Sequence, residues 1–588
     1  MSPRLPIDFR SAVVYQIYPR SFCDSNGDGI GDLPGITARL DHLQALGVNV
    51  VWLSPIYASP QDDNGYDISD YRAIAPEFGT LHDFDAMLAA MHQRGIRLMM
   101  DLVVNHSSDE HAWFQQARSS RDNAFHDYYI WREARTNANG QRQPPTNWEA
   151  AFNGSVWEWN EPTGEYYLHM FSRKQPDLNW ENPRLRAEVY DIMRFWLDRG
   201  VDGFRMDVIN MISKPWQADG SLPDAPVVRD GFLQPGFAQS CNGPRLHEFL
   251  AEMRREVLDH YPGCITVGEA PLATIEQGRA LTHPESGALN MLFQFEHMDL
   301  DSVGGHVNGK WALKPLDLRD MKRTMQRWQD ALDGQGWNSL YLSNHDQPRP
   351  VSRFGNDSPE HRVTSAKLLG TWLHGLQGTP YVYQGEELGM TNVAFARIDD
   401  YQDIEIRNYW RTAVHERGED PATVLRSIHA KGRDNARTPM PWSSAEQAGF
   451  SNASPWLQLN PNWPEVNAEA ARQDPDSVFH HYRRLIALRQ QHPILALGHT
   501  TLLLPEHPHI YAVERQWQGQ TWLVLSNWSD AAQPLSLPAP LCARPAQLML
   551  GNQAPRLGLA DERHTGPALV PLQTLVLQPW EALIVSLD

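Results

Sequence analysis

Residues 185–207 read LRAEVYDIMRFWLDRGVDGFRMD, and a change of period inside this stretch decides the fold. Leu185, Val189, Ile192 and Trp196 fall at spacings of four, three and four, which places them on one face of a helix. The short run 201–207 that follows, VDGFRMD, places Val201, Phe204 and Met206 ahead of and between Arg205 and Asp207, as a buried strand with a polar end would. Comparable runs lie at 12–18, 48–53, 96–104, 264–269, 290–295, 338–343 and 380–384. Helical patterns at 36–46, 81–94, 246–260, 321–332 and 363–376 separate most of them. Strands alternating with helices predict parallel βα units, and eight such strands predict a closed (β/α)8 barrel whose active site lies at the carboxyl ends of the strands.

Three stretches break the alternation. The gap from Asn105 toward Glu188 is too long for one βα loop, and its Trp, Asn, Gly and Pro content predicts an inserted subdomain with its own short strands. A second excursion, about 390–467, follows the eighth strand and contains RDNARTPMPW. From residue 510 short alternating runs such as YAVERQW, TWLVLSNW and EALIVSLD predict a small antiparallel β-domain. The expected division is barrel at 1–104 and 176–509, subdomain at 105–175 and C-terminal β-domain at 510–588.

The 588 residues are 41% hydrophobic and 21% charged, enough to build a large core. The net charge of −20 argues against a surface that neutralises phosphates or anionic lipid, so neither nucleic acid nor membrane is an expected partner. With no signal-peptide pattern and no long uncharged apolar run, the expected location is the cytoplasm. Cys23, Cys241, Cys264 and Cys542 are scattered, which suits free thiols better than a zinc site or a disulfide framework. Oligomeric state is not legible.

The expected strand ends gather polar residues. The third leads into Asp101, Asn105 and His106, the fourth into Arg205 and Asp207, the fifth into Glu269, and the seventh into His345 and Asp346. Any one of these alone reads as a cap or a solvated charge; together they bring carboxyls, an Arg and two His to one barrel mouth. Cleavage of a glycosidic bond needs such a set, with one carboxylate as nucleophile and a second, protonated carboxyl serving the leaving oxygen. Arg205 lies two residues before Asp207 and hence on the same strand face, so its charge is expected to keep Asp207 ionised. A separation of about 5 to 5.5 Å between the two carboxyls would give retention of configuration.

The segments DLVVNH (101–106), GFRMDVIN (203–210), GEA (268–270) and SNHD (343–346) together resemble the α-amylase superfamily of glycoside hydrolases. The resemblance implies Asp207 as nucleophile, Glu269 as acid/base and Asp346 as the carboxylate that orients sugar hydroxyls. It places His106, Arg205 and His345 against the sugar. GYDISDY (65–71) with GRDNARTP (432–439) resembles the Asp and Arg pair that closes the non-reducing end of the pocket in exo-acting α-glucosidases, carried here onto Asp67 and Arg433, with Tyr66 beside them.

QPDLNW (175–180) is similar to the signature of the oligo-1,6-glucosidase branch, in which Val after the nucleophile, here Val208, accompanies α-1,6 preference and Thr accompanies α-1,4. The implied activity is a retaining exo-α-glucosidase acting on short isomaltose-type oligosaccharides. An α-1,4 maltase, or a sucrose-active hydrolase or transglucosylase of the sucrose isomerase type, would use the same chemistry. A non-catalytic sugar-binding or transporter-associated barrel is disfavoured, because all three carboxyls are present and no transmembrane run is. GEAPLAT lacks the usual Met-Pro-Gly and RTPMPW carries Pro441, which leaves the leaving-group side open.

Asp24, Asn26, Asp28, the Ile30 carbonyl and Asp32 set oxygen ligands at alternate residues, like the start of an EF-hand loop without its bidentate Glu. In similar glucosidases this loop holds a structural Ca2+, sometimes Mg2+. The alternative is a loop of Asx turns that caps the next helix. No catalytic cofactor is implied.

Overall fold

The computed structural model describes residues 8–304, 309–553 and 569–588; residues 1–7 and 305–308 of the expected barrel segments and 554–568 of the expected C-terminal domain lie outside the described residues. Eight parallel strands form the barrel: β1 (Val14–Ile17), β2 (Val50–Leu53), β3 (Arg97–Leu102), β4 (Gly203–Met206), β5 (Ile265–Glu269), β6 (Met291–Phe293), β7 (Ser339–Leu340) and β8 (Thr379–Tyr383). The hydrogen-bonded order is β6-β5-β4-β3-β2-β1-β8-β7, and a parallel bridge between Leu292 and Asn338 closes the ring. All eight coincide with the expected runs.

The decisive stretch folds as its pattern requires. Asn182 caps the helix Pro183–Arg199, with Pro in its first turn, and Gly200 ends it in the left-handed region at φ 115°. Leu185, Val189, Ile192 and Trp196 are all buried. The chain then enters β4 at Gly203, where a Cβ would lie 2.0 Å from the Ile265 carbonyl oxygen, so only glycine lets β4 pack this closely on β5.

Some expected boundaries shift. The helix expected at 36–46 is two helices, Leu33–Ala38 and Leu40–Leu46, broken where Arg39 leaves helical geometry at φ −107° and ψ 5°. The helix expected at 246–260 ends at Glu256 and continues as one 3-10 turn. The C-terminal sheet is antiparallel and five-stranded, and its first strand is His499–Leu503, paired with Ile510–Trp517. The expected boundary at 510 is therefore one strand late, because this strand follows a helix with almost no turn signal between them.

The insertion after β3 carries a three-stranded antiparallel sheet of Trp131–Arg132, Trp157–Asn160 and Glu165–Leu168. It also reaches past its expected end at 175: Trp148–Glu149 pairs with Gln234–Pro235 of the long loop after β4. Its apolar cluster includes Trp148, Trp157, Leu168 and Met170 together with Val208 and Met211, which ties the insertion to the residue after Asp207. Among the described residues no helix is long and apolar enough to cross a membrane, and all four cysteines are free.

Candidate active site

Arg205 organises the strand ends. It is 1% exposed, its guanidinium lies 4.9 Å from the centre of the Trp52 ring, and it reaches carboxyls from three strands. Its Nη1 donates to Asp101 Oδ1 at 2.8 Å and to Asp207 Oδ1 at 2.7 Å, while Nη2 lies 2.5 Å from Glu269 Oε2. Asp101 also accepts from Trp52 Nε1 and the Tyr66 hydroxyl.

One guanidinium is thus divided among three carboxylates, so Arg205 favours the ionised form of Asp207, as expected, but shares that hold with Asp101 and Glu269. Burial pushes the Asp207 carboxyl well above the usual carboxylate range, Glu269 and Asp101 push it the same way, and Arg205 only opposes them. Asp101 is pushed up to about 6, again chiefly by burial.

Asp346 is the carboxyl of the site most strongly favoured in its ionised form. Burial alone would raise its pKa, but His345, Arg433 and Arg437 pull it far below the usual range. Its Oδ1 lies 2.7 Å from Arg437 Nη2 and 3.2 Å from Arg433 Nη1. Asp403, fully buried, holds both arginines from behind at 2.7 Å each. Sequence reasoning missed both Arg437 and Asp403.

Both histidines of the site have lowered pKa values. Burial takes His345 down to about 3 and His106 to about 4. His345 Nδ1 lies 2.8 Å from the Gln16 amide nitrogen, so it accepts there and its proton sits on Nε2, 3.3 Å from Asp346 Oδ2. The ring stacks on Tyr66 with centroids 5.0 Å apart. His106 Nε2 lies 3.1 Å from the Tyr66 carbonyl oxygen.

The Asp67–Arg433 pair expected from sequence is not formed. Asp67 is 0% exposed and folds back on its own loop, accepting from Ser59 Oγ at 3.0 Å, Asp62 N–H at 2.8 Å and Asp63 N–H at 3.1 Å. These contacts turn Asp63 outward instead, and its Oδ1 meets Arg433 Nη2 at 3.0 Å. The available signal was a second acidic residue four positions earlier, in QDDNGYDISDY. Gln175 of QPDLNW donates to Asp63 Oδ2, and Asp177 pairs with Lys214, so that motif braces the Asp63 loop and the insertion against the barrel.

These groups surround a cavity of about 150 Å3. Asp207, Glu269, Asp346, Tyr66, His106, Val208 and Arg433 line it, whereas Arg205, His345 and Asp67 do not. Residues not expected from sequence complete the wall: Asp63, four phenylalanines (Phe152, Phe171, Phe237, Phe295), and Lys310 with Glu405, an ion pair 2.5 Å apart. The phenylalanines come from the insertion and from loops after β4 and β6, where no spacing rule announces a shared wall.

The 24–32 loop is closed by backbone amides. Asp24 accepts from the N–H groups of Asn26, Gly27 and Gly29, Asn26 from Asp28, and Asp28 from Ile30, while Asp32 caps the helix Leu33–Ala38. Among the described residues no three His, Cys, Asp or Glu side chains form a metal cluster, so an ion here would also need Asn26 and the Ile30 carbonyl. Those hard oxygens are of the type Ca2+ takes.

A family model described as alpha amylase, catalytic domain, matches residues 16–498. The chain is 54% identical over 579 residues to an oligo-1,6-glucosidase of Parageobacillus thermoglucosidasius, covering 98% of this chain and 99% of the relative. It is 44% identical over 582 residues to a trehalose-6-phosphate hydrolase of Bacillus subtilis strain 168, covering 98% of each. Among solved structures, the trehalulose synthase MutB of Pseudomonas mesoacidophila MX-45 superposes with TM-score 0.90 at 40% identity, covering 99% of each chain.

Proposed function

Since the chain belongs to the α-amylase family of glycoside hydrolases, we propose that it is a retaining, exo-acting α-glucosidase that cleaves the terminal α-1,6 bond of short oligosaccharides. The observation that carries the mechanism is the single Arg205 guanidinium gripping Asp207 and Glu269 from one side of a small cavity. Arg205 occupies Asp207 Oδ1, which leaves Oδ2 to attack the anomeric carbon. Glu269 gives its proton to the departing oxygen, and Asp207 becomes the glucosyl ester. Water, deprotonated by Glu269, then releases glucose with its configuration retained. Asp346, ionised and fixed by two arginines, stabilises the oxocarbenium-like charge in both steps.

Exo action follows from Asp63, Arg433 and Asp346, whose ion pairs close one side of the cavity around a terminal sugar. The α-1,6 preference is supported by Val208 in the cavity wall and by relatives named oligo-1,6-glucosidase at 50 to 54% identity. The relatives named trehalose-6-phosphate hydrolase suggest a phosphorylated substrate, but Glu405 already neutralises Lys310 in the cavity, which favours neutral sugars. We propose also that residues 24–32 hold a structural Ca2+, supported by the hard oxygen donors of that loop.

Incubation with isomaltose, maltose, sucrose and trehalose 6-phosphate at equal concentration, followed by proton NMR, tests the substrate. Glucose released fastest from isomaltose is the expected result. Faster attack on maltose, sucrose or the phosphate ester, or new disaccharides in place of glucose, would overturn it.

A further inference from the structure

Val208 has a backbone that β-branched residues rarely adopt, φ 34° and ψ 41°, in the left-handed region. Such a conformation persists only where the surroundings impose it. Here the Asp207 N–H is tied to the Leu102 carbonyl at 3.0 Å, the Val208 carbonyl accepts from Met211 N–H at 2.8 Å, and the isopropyl group is 7% exposed within the cluster that includes Trp148 and Met211. The result is directional: the Val208 N–H turns back across the site and donates to Glu269 Oε2 at 3.1 Å. Arg205 Nη2 meets the same oxygen at 2.5 Å.

Resting on the glycosidase reading above, we propose that the Val208 peptide N–H is a positioning group for Glu269, and that Glu269 Oε1 is the oxygen that carries the catalytic proton. Oε2 already accepts from two donors, so a proton placed there would face both. Arg205 alone cannot fix the carboxyl, because it is shared with Asp101 and Asp207. The amide adds the second contact that sets the carboxyl plane. Both donors belong to the segment 205–208, which also carries the nucleophile, so one turn sets the mutual placement of the two catalytic carboxyls.

Proton bookkeeping is complete at Oε1. In the first step the Oε1–H proton passes to the glycosidic oxygen as the Asp207 Oδ2–C1 bond forms and the bond from C1 to the leaving group breaks. In the second, a water oxygen bonds to C1, its proton passes to Oε1, and Asp207 leaves as the carboxylate.

The direct test is Val208→α-hydroxyvaline, which exchanges the N–H for an ester oxygen and keeps the isopropyl group. The expected kcat/KM for isomaltose falls about tenfold or more, as for one lost hydrogen bond to a carboxyl that gains negative charge in the transition state. The fall for α-glucosyl fluoride, whose leaving group needs no proton, is several times smaller. Equal falls on both substrates, or none on isomaltose, overturn the assignment.

Two readouts do not depend on that variant. V208G should unfold at a higher temperature than V208A, because only glycine is at ease at this φ, and the reverse order overturns the left-handed constraint. An atomic-resolution structure with an unreactive isomaltose analogue should place Glu269 Oε1 against the glycosidic oxygen while Oε2 stays on the Val208 N–H, and any other arrangement refutes the proposal. Failure of the glycosidase reading would look different: Glu269→Gln would retain full activity whatever the Val208 variants do.

Discussion

Asp63→Ala tests which acidic residue grips the terminal sugar. Asp63 is 5% exposed and sits 3.0 Å from Arg433, a separation at which the gross Coulomb attraction is roughly 5 kcal/mol at an effective dielectric of about 20. Little of that is lost from stability, since Asp346 and Asp403 still hold Arg433. The loss falls on the substrate instead. One charged hydrogen bond to a terminal hydroxyl is worth about 1.5 to 3 kcal/mol, and a guanidinium freed on one side loses part of a second contact. Together these lower kcat/KM for isomaltose by roughly 100- to 1,000-fold. Asp67→Asn provides the contrast. Asp67 touches no part of the cavity and accepts from three donors in its own loop, so its change should lower thermal stability far more than kcat/KM. Steady-state kinetics per folded enzyme, well below both melting temperatures, separates the two. An Asp67→Asn variant of full stability that loses as much kcat/KM as Asp63→Ala, or an Asp63→Ala variant that loses almost nothing, refutes the reasoning.

Other outcomes follow from the same contacts. Val208→Thr should shift the isomaltose-to-maltose ratio of kcat/KM toward maltose by about five- to 30-fold, a difference of order 1 to 2 kcal/mol, and an unchanged ratio excludes Val208 as the linkage determinant. Asp301 is held down at about 2 by Arg353 and Lys431 against the effect of burial. Its folded pKa lies below the unfolded one, so its stabilisation of roughly 2 kcal/mol is present near neutral pH and lost as pH falls toward about 2. In urea unfolding, Asp301→Asn should therefore be less stable than the unaltered protein near neutrality, with the gap narrowing in acid; a gap independent of pH would contradict this. Ca2+ added to chelator-treated protein should raise Tm by about 2 to 4 °C and Asp28→Ala should abolish the shift, whereas no shift in either protein would exclude the metal loop.

The barrel was legible because periodicity reports burial directly. Seven strands lay within their apolar runs and the eighth began one residue before its run, while the helix before β4 buried the face that its spacing named. The carboxyls at the strand ends were legible for the same reason, since period-two alternation and strand polarity fix where Asp207 and Glu269 must emerge. Loop geometry was not. Asp63 and Asp67 are four residues apart in one loop, and only the fold-back of Asp67 onto the amides of 62 and 63 decides which faces Arg433. The phenylalanine wall and the Lys310–Glu405 pair, 95 residues apart, are assembled from separate loops that no local pattern connects. The charge balance was legible in kind but not in ratio: Arg205 was identifiable, its division among three carboxylates was not.

The most direct test of the central claim is to trap the intermediate. A 5-fluoro-α-glucosyl fluoride reacts through glucosylation but is released slowly, so peptide mass spectrometry of the quenched enzyme should find one added fluoroglucosyl group on Asp207. A label on Glu269 or Asp346, or inactivation-free turnover with no labelled peptide, would contradict the assignment of Asp207 as the nucleophile.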